Sequence, residues 1–392
     1  MTRRLAWLDA LRGVGATAVL VEHLNYHFLD WLRPRWMNLG IYGVLVFFLV
    51  SGYIIPASLE RRGEIKAFWI SRVFRLYPLY LLVIVITLAL APLLPLRGDA
   101  DVFAHLTMLM EVTGSAGLVE PMWTLSYEMV FYLLVTGLFV AGVHRRSGLF
   151  ALAFAALATL VAFTMPREGH LLDGPWAPLV VLAVVAAGLG GVLYGSRSLR
   201  LAGGVTLAVL AVGLIWIGSR ETWQGAMILS VMFTGTAIHR WQHGQSSGLW
   251  PVAGVAALIV LVPFLKPVTF NGLTNLATMG LAAATFAVFF ALRERALPRV
   301  LAWLGLISYS VYLVHVPLLK LALLIFGDTR LLPWPAQLGL GLALLALILG
   351  ASRLTHRFVE LPAQRYGRRL AARSVGGVVE LPRPRDTSTV SS

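Results

Sequence analysis

The chain contains no cysteine, few acidic residues and little charge of any kind. Without cysteine there is no disulfide, no thiolate zinc site and no cysteine nucleophile, so covalent chemistry would need another group. Charged residues fill 13% of the 392 positions, against roughly a quarter in a soluble domain. That scarcity excludes an ordinary soluble globular protein. Acidic side chains number 18 against 32 basic ones, for a formal charge of +14, and Lys66, Lys266 and Lys320 are the only lysines. Such a balance can signal nucleic acid, but in a membrane protein it reflects orientation, so the placement of the charges decides.

What is abundant is apolar: 58% of the residues. Length alone allows two or three domains, yet apolar runs of about 17 to 25 residues, each able to cross a ~30 Å hydrocarbon core, take up nearly the whole chain. They predict helices at about 6–28, 39–56, 76–96, 123–143, 148–165, 178–195, 201–218, 222–239, 250–265, 273–291, 300–326 and 335–353. The expected fold is all-α, a polytopic membrane bundle of about 10–12 transmembrane helices. With the N-terminus inside, 23 basic residues fall on the inner side and seven on the outer, with Arg12 and Lys320 within helices. Both termini are therefore expected in the cytoplasm, and nucleic acid drops out as a partner. The first helix follows Arg3 and Arg4, is interrupted by Arg12, Glu22 and His23, and lacks a small-residue cleavage site, which reads as a retained signal anchor. Beyond the last apolar run the chain turns Arg-rich and then ends in LPRPRDTSTVSS, a composition that predicts a basic, disordered cytoplasmic tail over 363–392 with no soluble catalytic domain appended.

An ionisable side chain at membrane depth costs several kcal/mol and by default marks a function. Arg12 and His23 are eleven residues apart, three helical turns plus about 20°, so both project from one face about 16 Å apart along the axis. Snorkelling would explain Arg12 alone, and packing would explain His23 alone. Asp9, three residues before Arg12, reads as its local ion-pair partner, and Glu22 as facing a hydrated rim or a neighbouring helix. In RRGEIKAFWISRVFRLYP, Arg72 and Arg75 lie three apart just before the third helix enters the membrane, an arrangement that suits phosphate oxygens as well as an ordinary positive-inside loop. Ser51 and Gly52 sit near the inner end of the second helix. Glu128, in WTLSYE, and His315, in SYSVYLVH, are placed by register in the outer half at the depth of His23, where a lone histidine often only bonds a carbonyl. Two levels result: Arg12, Ser51, Arg72 and Arg75 inside, and His23, Glu128 and His315 about 16 Å further out. Such spacing suits a donor with a phosphate head and a long arm ending in a reactive group, as in an acyl-coenzyme A.

The chain resembles the acyltransferase-3 membrane O-acyltransferases of bacteria. The resemblance runs through LDALRG with Arg12 and His23, FFLVSGY, RVFR, WTLSYE and SYSVYLVH to FVELP with Glu360 and Pro362, six motifs in order across residues 1–362, which it marks as the acyltransferase-3 membrane domain. It implies a protein of the bacterial cytoplasmic membrane that transfers an acyl group, commonly acetyl, from acyl-CoA to a hydroxyl of a sugar, cell-envelope glycan or glycosylated natural product, with no metal. In those terms Arg12, Arg72 and Arg75 face the donor and His23 is the essential base. The two-level reading of the residues adds Ser51 to the donor level, sets Glu128 to orient the His23 imidazole, and assigns Tyr309 and His315 to the acceptor. The chain departs from the family in having two helices more than the usual ten and in lacking the esterase-like extension of some members. Two rivals stand beside the transferase: a proton-coupled transporter using the buried His and Glu residues, which inverted internal repeats would favour and none is visible, and a non-catalytic scaffold, which leaves Arg12 and His23 without purpose.

Overall fold

The computed structural model describes residues 6–93, 101–115, 117–164, 176–218, 222–265 and 272–374; Arg3, Arg4 and the segment from 375 lie outside them. The described residues fold as helices α1 (Ala6–Phe28), α2 (Leu39–Arg62), α3 (Ile65–Ala89), α4 (Val102–Leu106), α5 (Trp123–Val140), α6 (Ser147–Thr164), α7 (Ala177–Tyr194), α8 (Arg197–Gly218), α9 (Thr222–Gln242), α10 (Trp250–Leu265), α11 (Gly272–Ala291), α12 (Arg299–Phe326), α13 (Trp334–Thr355) and α14 (Leu361–Ser374). Every apolar run read from the sequence is such a helix, and among the described residues eight helical segments are long and apolar enough to cross a membrane. This is an all-α polytopic membrane bundle. Its outside is apolar as well as its core, with Val85, Val209, Leu342 and Leu347 all exposed. That pattern fits hydrocarbon rather than water, because only closed helices satisfy their backbone groups in lipid.

At the centre, α1 packs between α2 and α12, while α9 covers the far side of α2 and carries α6; α5, α8 and α7 complete the other flank. Lipid supplies no hydrophobic drive between helices, so small residues that let backbones approach decide these contacts. A Cβ on Gly13 of α1 would lie 2.6 Å from Leu301 O and 2.9 Å from Gly305 N of α12, and one on Gly305 would collide with Asp9 O. Gly52 of α2 makes the equivalent approach to the Met232 backbone of α9, where Thr236 Oγ1 donates to Gly52 O at 2.7 Å. On the Arg-rich face, buried Arg240 of α9 pairs with Glu60 of α2 and donates to Ser147 Oγ at 2.8 Å and His144 O at 3.1 Å. That network ties the ends of α2, α6 and α9.

Two boundaries differ from expectation. The third helix begins at Ile65 rather than near 76, so Arg72 and Arg75 lie well inside it; Ile65, Phe68 and Trp69 give its first turns a buried face of their own. Residues 363–374, expected to start a disordered tail, are helical: α13 runs through a π-helical turn, His356–Glu360, into α14. Apolar content had argued against order there. It is small residues that make the contact, with Gly367 set against Phe74 of α3, Ala371 buried on the same face and the Tyr366 ring 5.3 Å from Phe74.

Because α1 and α12 meet backbone to backbone, Gly305→Val should destabilise the bundle by about 1–3 kcal/mol or more, whereas Gly280→Ala, where an added Cβ meets nothing within 4 Å, should leave it unchanged. Thermal unfolding in detergent checks both, and equal melting points for the two variants would contradict the packing.

Candidate active site

Five helices converge on one polar cavity inside the apolar bundle. Arg12 of α1, Ser51 of α2, Arg75 of α3, Glu128 of α5, and Ser308, Tyr309 and Tyr312 of α12 line it, with Phe47 and Phe48 among its apolar walls; it holds about 610 Å³ including its open mouth. Helical spacing sets the α12 contribution, since 308 and 312 fall on one face with 309 beside 308. Arg72 stands one turn before Arg75, its guanidinium 5.3 Å from the Phe68 ring and 5.5 Å from the Tyr132 ring. Tyr132 in turn donates to Glu128 Oε1 at 2.5 Å. Asp9 and Glu128 supply the negative charge facing Arg12, and Arg72 and Arg75 add to the positive. Guanidinium groups outnumber carboxylates here, so the cavity suits an anion. Tyr309 donates its hydroxyl to Leu76 O at 2.8 Å, a clamp between α12 and α3 rather than a free group.

Further along α1 and α12 lies a histidine pair. His23 Nδ1 is 2.9 Å from Val19 O and 3.4 Å from His315 Nε2, while His315 Nδ1 is 2.8 Å from Val311 O; the ring centroids are 4.9 Å apart. A carbonyl only accepts, so both rings carry their proton on Nδ1 in the neutral form. The Nε2 lone pair of His315 then faces the Nδ1–H of His23, and Nε2 of His23 is left as the basic atom. His315 is fully buried and His23 is not. His315 Nε2 is thus a second, longer acceptor for His23 Nδ1–H beside Val19 O, a contact that fixes the orientation of the His23 ring.

The sequence placed Glu128 beside His23, and the structure does not. Thr124 Oγ1 lies 2.6 Å from Tyr312 Oη, which fixes the register of α5 on α12. Glu128 is one turn from Thr124 in one direction and His315 is three residues from Tyr312 in the other, a separation of about 10 Å along the axis. Glu128 belongs with the arginines. The reason is that residues 101–115 and 117–122 fold back into the bundle: Glu111 N donates to Ser126 Oγ at 3.1 Å, Tyr80 Oη to His105 O at 2.8 Å and Tyr312 Oη to Pro121 O at 2.9 Å. The first turn of α5 therefore starts below the rim. Tyr132 and Tyr312 were missed, although Thr124, Glu128 and Tyr132 at four-residue steps, and Ser308, Tyr312 and His315 at four and three, are helical stripes that could have found them. Glu22 does meet a partner, Arg33 Nε at 2.9 Å, from the segment after α1.

In the folded-back segment, His105 Nδ1 is 2.6 Å from Asp101 O and its Nε2 accepts from Leu118 N at 2.8 Å. Burial holds this imidazole below its ordinary value of 6.5, opposed by the Asp101 carbonyl and charge. The unfolded segment would take up the proton first, so its stability is complete above pH 6.5 and is lost as pH falls from there toward the folded value. Hydrogen exchange, corrected for intrinsic rates, should show protection of the Leu118 amide falling severalfold between pH 7 and 5. Constant protection would refute this account.

The fold and cavity define a class, multi-pass membrane proteins with an open-mouthed cavity lined by charged and hydroxyl side chains inside the bundle. Comparison with known proteins is consistent with that class and narrower. The profile of the acyltransferase-3 family, described as an acyltransferase domain, matches residues 5–353, and the chain belongs to that family. It is 29% identical over 397 residues to the acyltransferase MdmB of Streptomyces mycarofaciens, covering 93% of both chains. It is 24% identical over 402 residues to the peptidoglycan O-acetyltransferase OatA of Listeria monocytogenes, covering 92% of this chain and 56% of that one. With nodulation protein 10 of Rhizobium leguminosarum it shares 26% identity over 337 residues, 79% of this chain and 81% of the relative. The chain thus spans little more than half of its peptidoglycan-modifying relative. No solved structure matches it.

Proposed function

We propose that this protein is an integral-membrane O-acyltransferase that moves an acyl group, acetyl in the simplest case, from acyl-CoA to a hydroxyl of a sugar, cell-envelope glycan or glycosylated natural product. The observation that carries it is the His23–His315 pair standing over an arginine-lined cavity on the same two helices. Support comes from the family, and from relatives named as an acyltransferase and as a peptidoglycan O-acetyltransferase. The basic face is then cytoplasmic, as the positive-inside bias favours, in a bacterial inner membrane.

Arg12 and Arg75 hold phosphate oxygens of the donor, because a planar guanidinium can do so bidentately. Arg72, stacked on Tyr132, fixes the tyrosine that positions Glu128, and Glu128 keeps the two cavity arginines from repelling one another in the empty state. Ser51 and Ser308 offer hydroxyls to the donor's arm. About 16 Å further along α1, His23 Nε2 removes the proton of the acceptor hydroxyl as its oxygen attacks the thioester carbonyl. The C–S bond then breaks and the thiolate leaves, taking up the proton that His23 carries. His315 acts by accepting from His23 Nδ1–H, so it supports the base in place of the acceptor-binding role expected of it.

Mass spectrometry of the purified chain with acetyl-CoA and candidate glycosides tests this directly. Thioester consumption coupled to a mass gain of one acetyl group on the acceptor is the expected result, reduced by about 10²–10⁴-fold in His23→Ala, the usual share of a general base. Arg75→Ala should bind CoA about tenfold more weakly while melting at the same temperature. Full turnover in folded His23→Ala, or unchanged CoA affinity in both Arg12→Ala and Arg75→Ala, would remove the assignment.

A further inference from the structure

The turn between α13 and α14 makes a second concave site, sharing no lining residue with the cavity, lined by Arg353, His356, Arg357, Phe358, Leu361 and Arg365. In an unbroken α-helix, residues four apart drift by about 40° per step, which would spread positions 353, 357, 361 and 365 over about 120°. The π-helical turn His356–Glu360 takes in more residues per turn and removes most of that drift. Three guanidinium groups are thereby gathered along one side of the helix. Functional sites recur at such turns.

Between residues 353 and 374 the sequence has six arginines and one carboxylate, Glu360. That carboxylate is committed inward: it is 3% exposed, accepts from Ser310 Oγ of α12, and meets His356 Nδ1 at 3.3 Å and Gln364 Nε2 at 3.4 Å. Among the described residues, Arg353 and Arg365 have no acidic partner, and Arg357 lies only over the Phe358 ring, at 5.5 Å. Beside them stand exposed apolar side chains, Leu354 at 57%, Phe358 at 65% and Tyr366 at 58%. Positive charge interleaved with exposed apolar groups, at the end of a membrane helix, is the chemistry of the headgroup layer.

We propose that this turn is a binding site for the phosphate headgroup of an anionic phospholipid, with Arg353, Arg357 and Arg365 on the phosphate and Leu354 and Phe358 against the upper acyl chain. Basic clusters directly beyond a membrane helix attract anionic lipids. The exposed apolar flank favours a lipid over a soluble phosphate, which would leave Leu354 and Phe358 uncovered. The site adjoins the Ser310–Glu360 bond, so it lies at the strut that fastens this turn to α12.

The experiment is native mass spectrometry of the full chain released from nanodiscs of phosphatidylcholine with one quarter phosphatidylglycerol. Retained phosphatidylglycerol should exceed its share of the bilayer in the wild type. In Arg353→Gln/Arg357→Gln/Arg365→Gln it should fall at least fivefold, while Arg368→Gln/Arg369→Gln/Arg373→Gln, equal in charge but outside the concavity, should change it less than twofold. Equal loss in both triple variants would mean diffuse electrostatics and overturn the site, as would retention no greater than phosphatidylcholine. Equal protection from thermal unfolding by glycerol 3-phosphate and by phosphatidylglycerol would reassign it to a soluble anion and also overturn the proposal. If the first triple variant fails to elute as a folded species, the wild type decides through that same thermal comparison, with phosphatidylglycerol expected to raise the melting temperature and phosphatidylcholine not.

Discussion

The close parallel contact of α1 and α12 is the constraint on which the other arrangements rest. Glycine at 13 and 305 removes the side chains that would hold the two backbones apart, and in a lipid solvent that approach is what joins the helices. Parallel running then makes the register count twice. At one end it brings Arg12 to the cavity beside Ser308; eleven residues further along α1 and seven along α12, it brings His23 to His315. A bulkier residue at either glycine would alter both levels together.

Charge inside such a bundle has to be compensated locally, since each ion costs several kcal/mol to bring there. The structure does so in three separate places. Around the cavity, Asp9 and Glu128 offset Arg12 and its neighbours without fully neutralising them. At the end of α9, Arg240 is satisfied by Glu60, Gln245, Ser147 and a carbonyl, which is a closed structural knot with no donor to spare. Glu360 is held by Ser310. The first leaves positive charge facing an open cavity, whereas the second is a fastening.

Much of this was legible in the sequence, because lipid makes the helices and the charges conspicuous. Each apolar run became a helix, and Arg12, Ser51 and Arg75 do meet in one place. Depth was readable only where a run begins at the surface. For α5 it does not: polar contacts at Ser126, His105 and Pro121 draw the segment before α5 into the bundle, and no periodicity announces that. Glu128 was therefore set one level too far out, and the side chain beside His23 is His315. The order of α14 was hidden for a different reason, since its buried face is made of Gly367 and Ala371 rather than large apolar residues.

In the proposed mechanism His23 acts as a base oriented by His315, and the pairwise coupling between the two tests that most directly. Turnover per folded molecule should be measured for His23→Ala, His315→Gln, and the double variant, with Glu128→Gln combined with each. If the two histidines work as a unit, the double variant is little worse than His23→Ala alone, while Glu128→Gln adds its own loss to that of His315→Gln. Additive losses for the histidine pair, with strong coupling between His23 and Glu128 instead, would contradict the assignment and restore the carboxylate as the partner of the base.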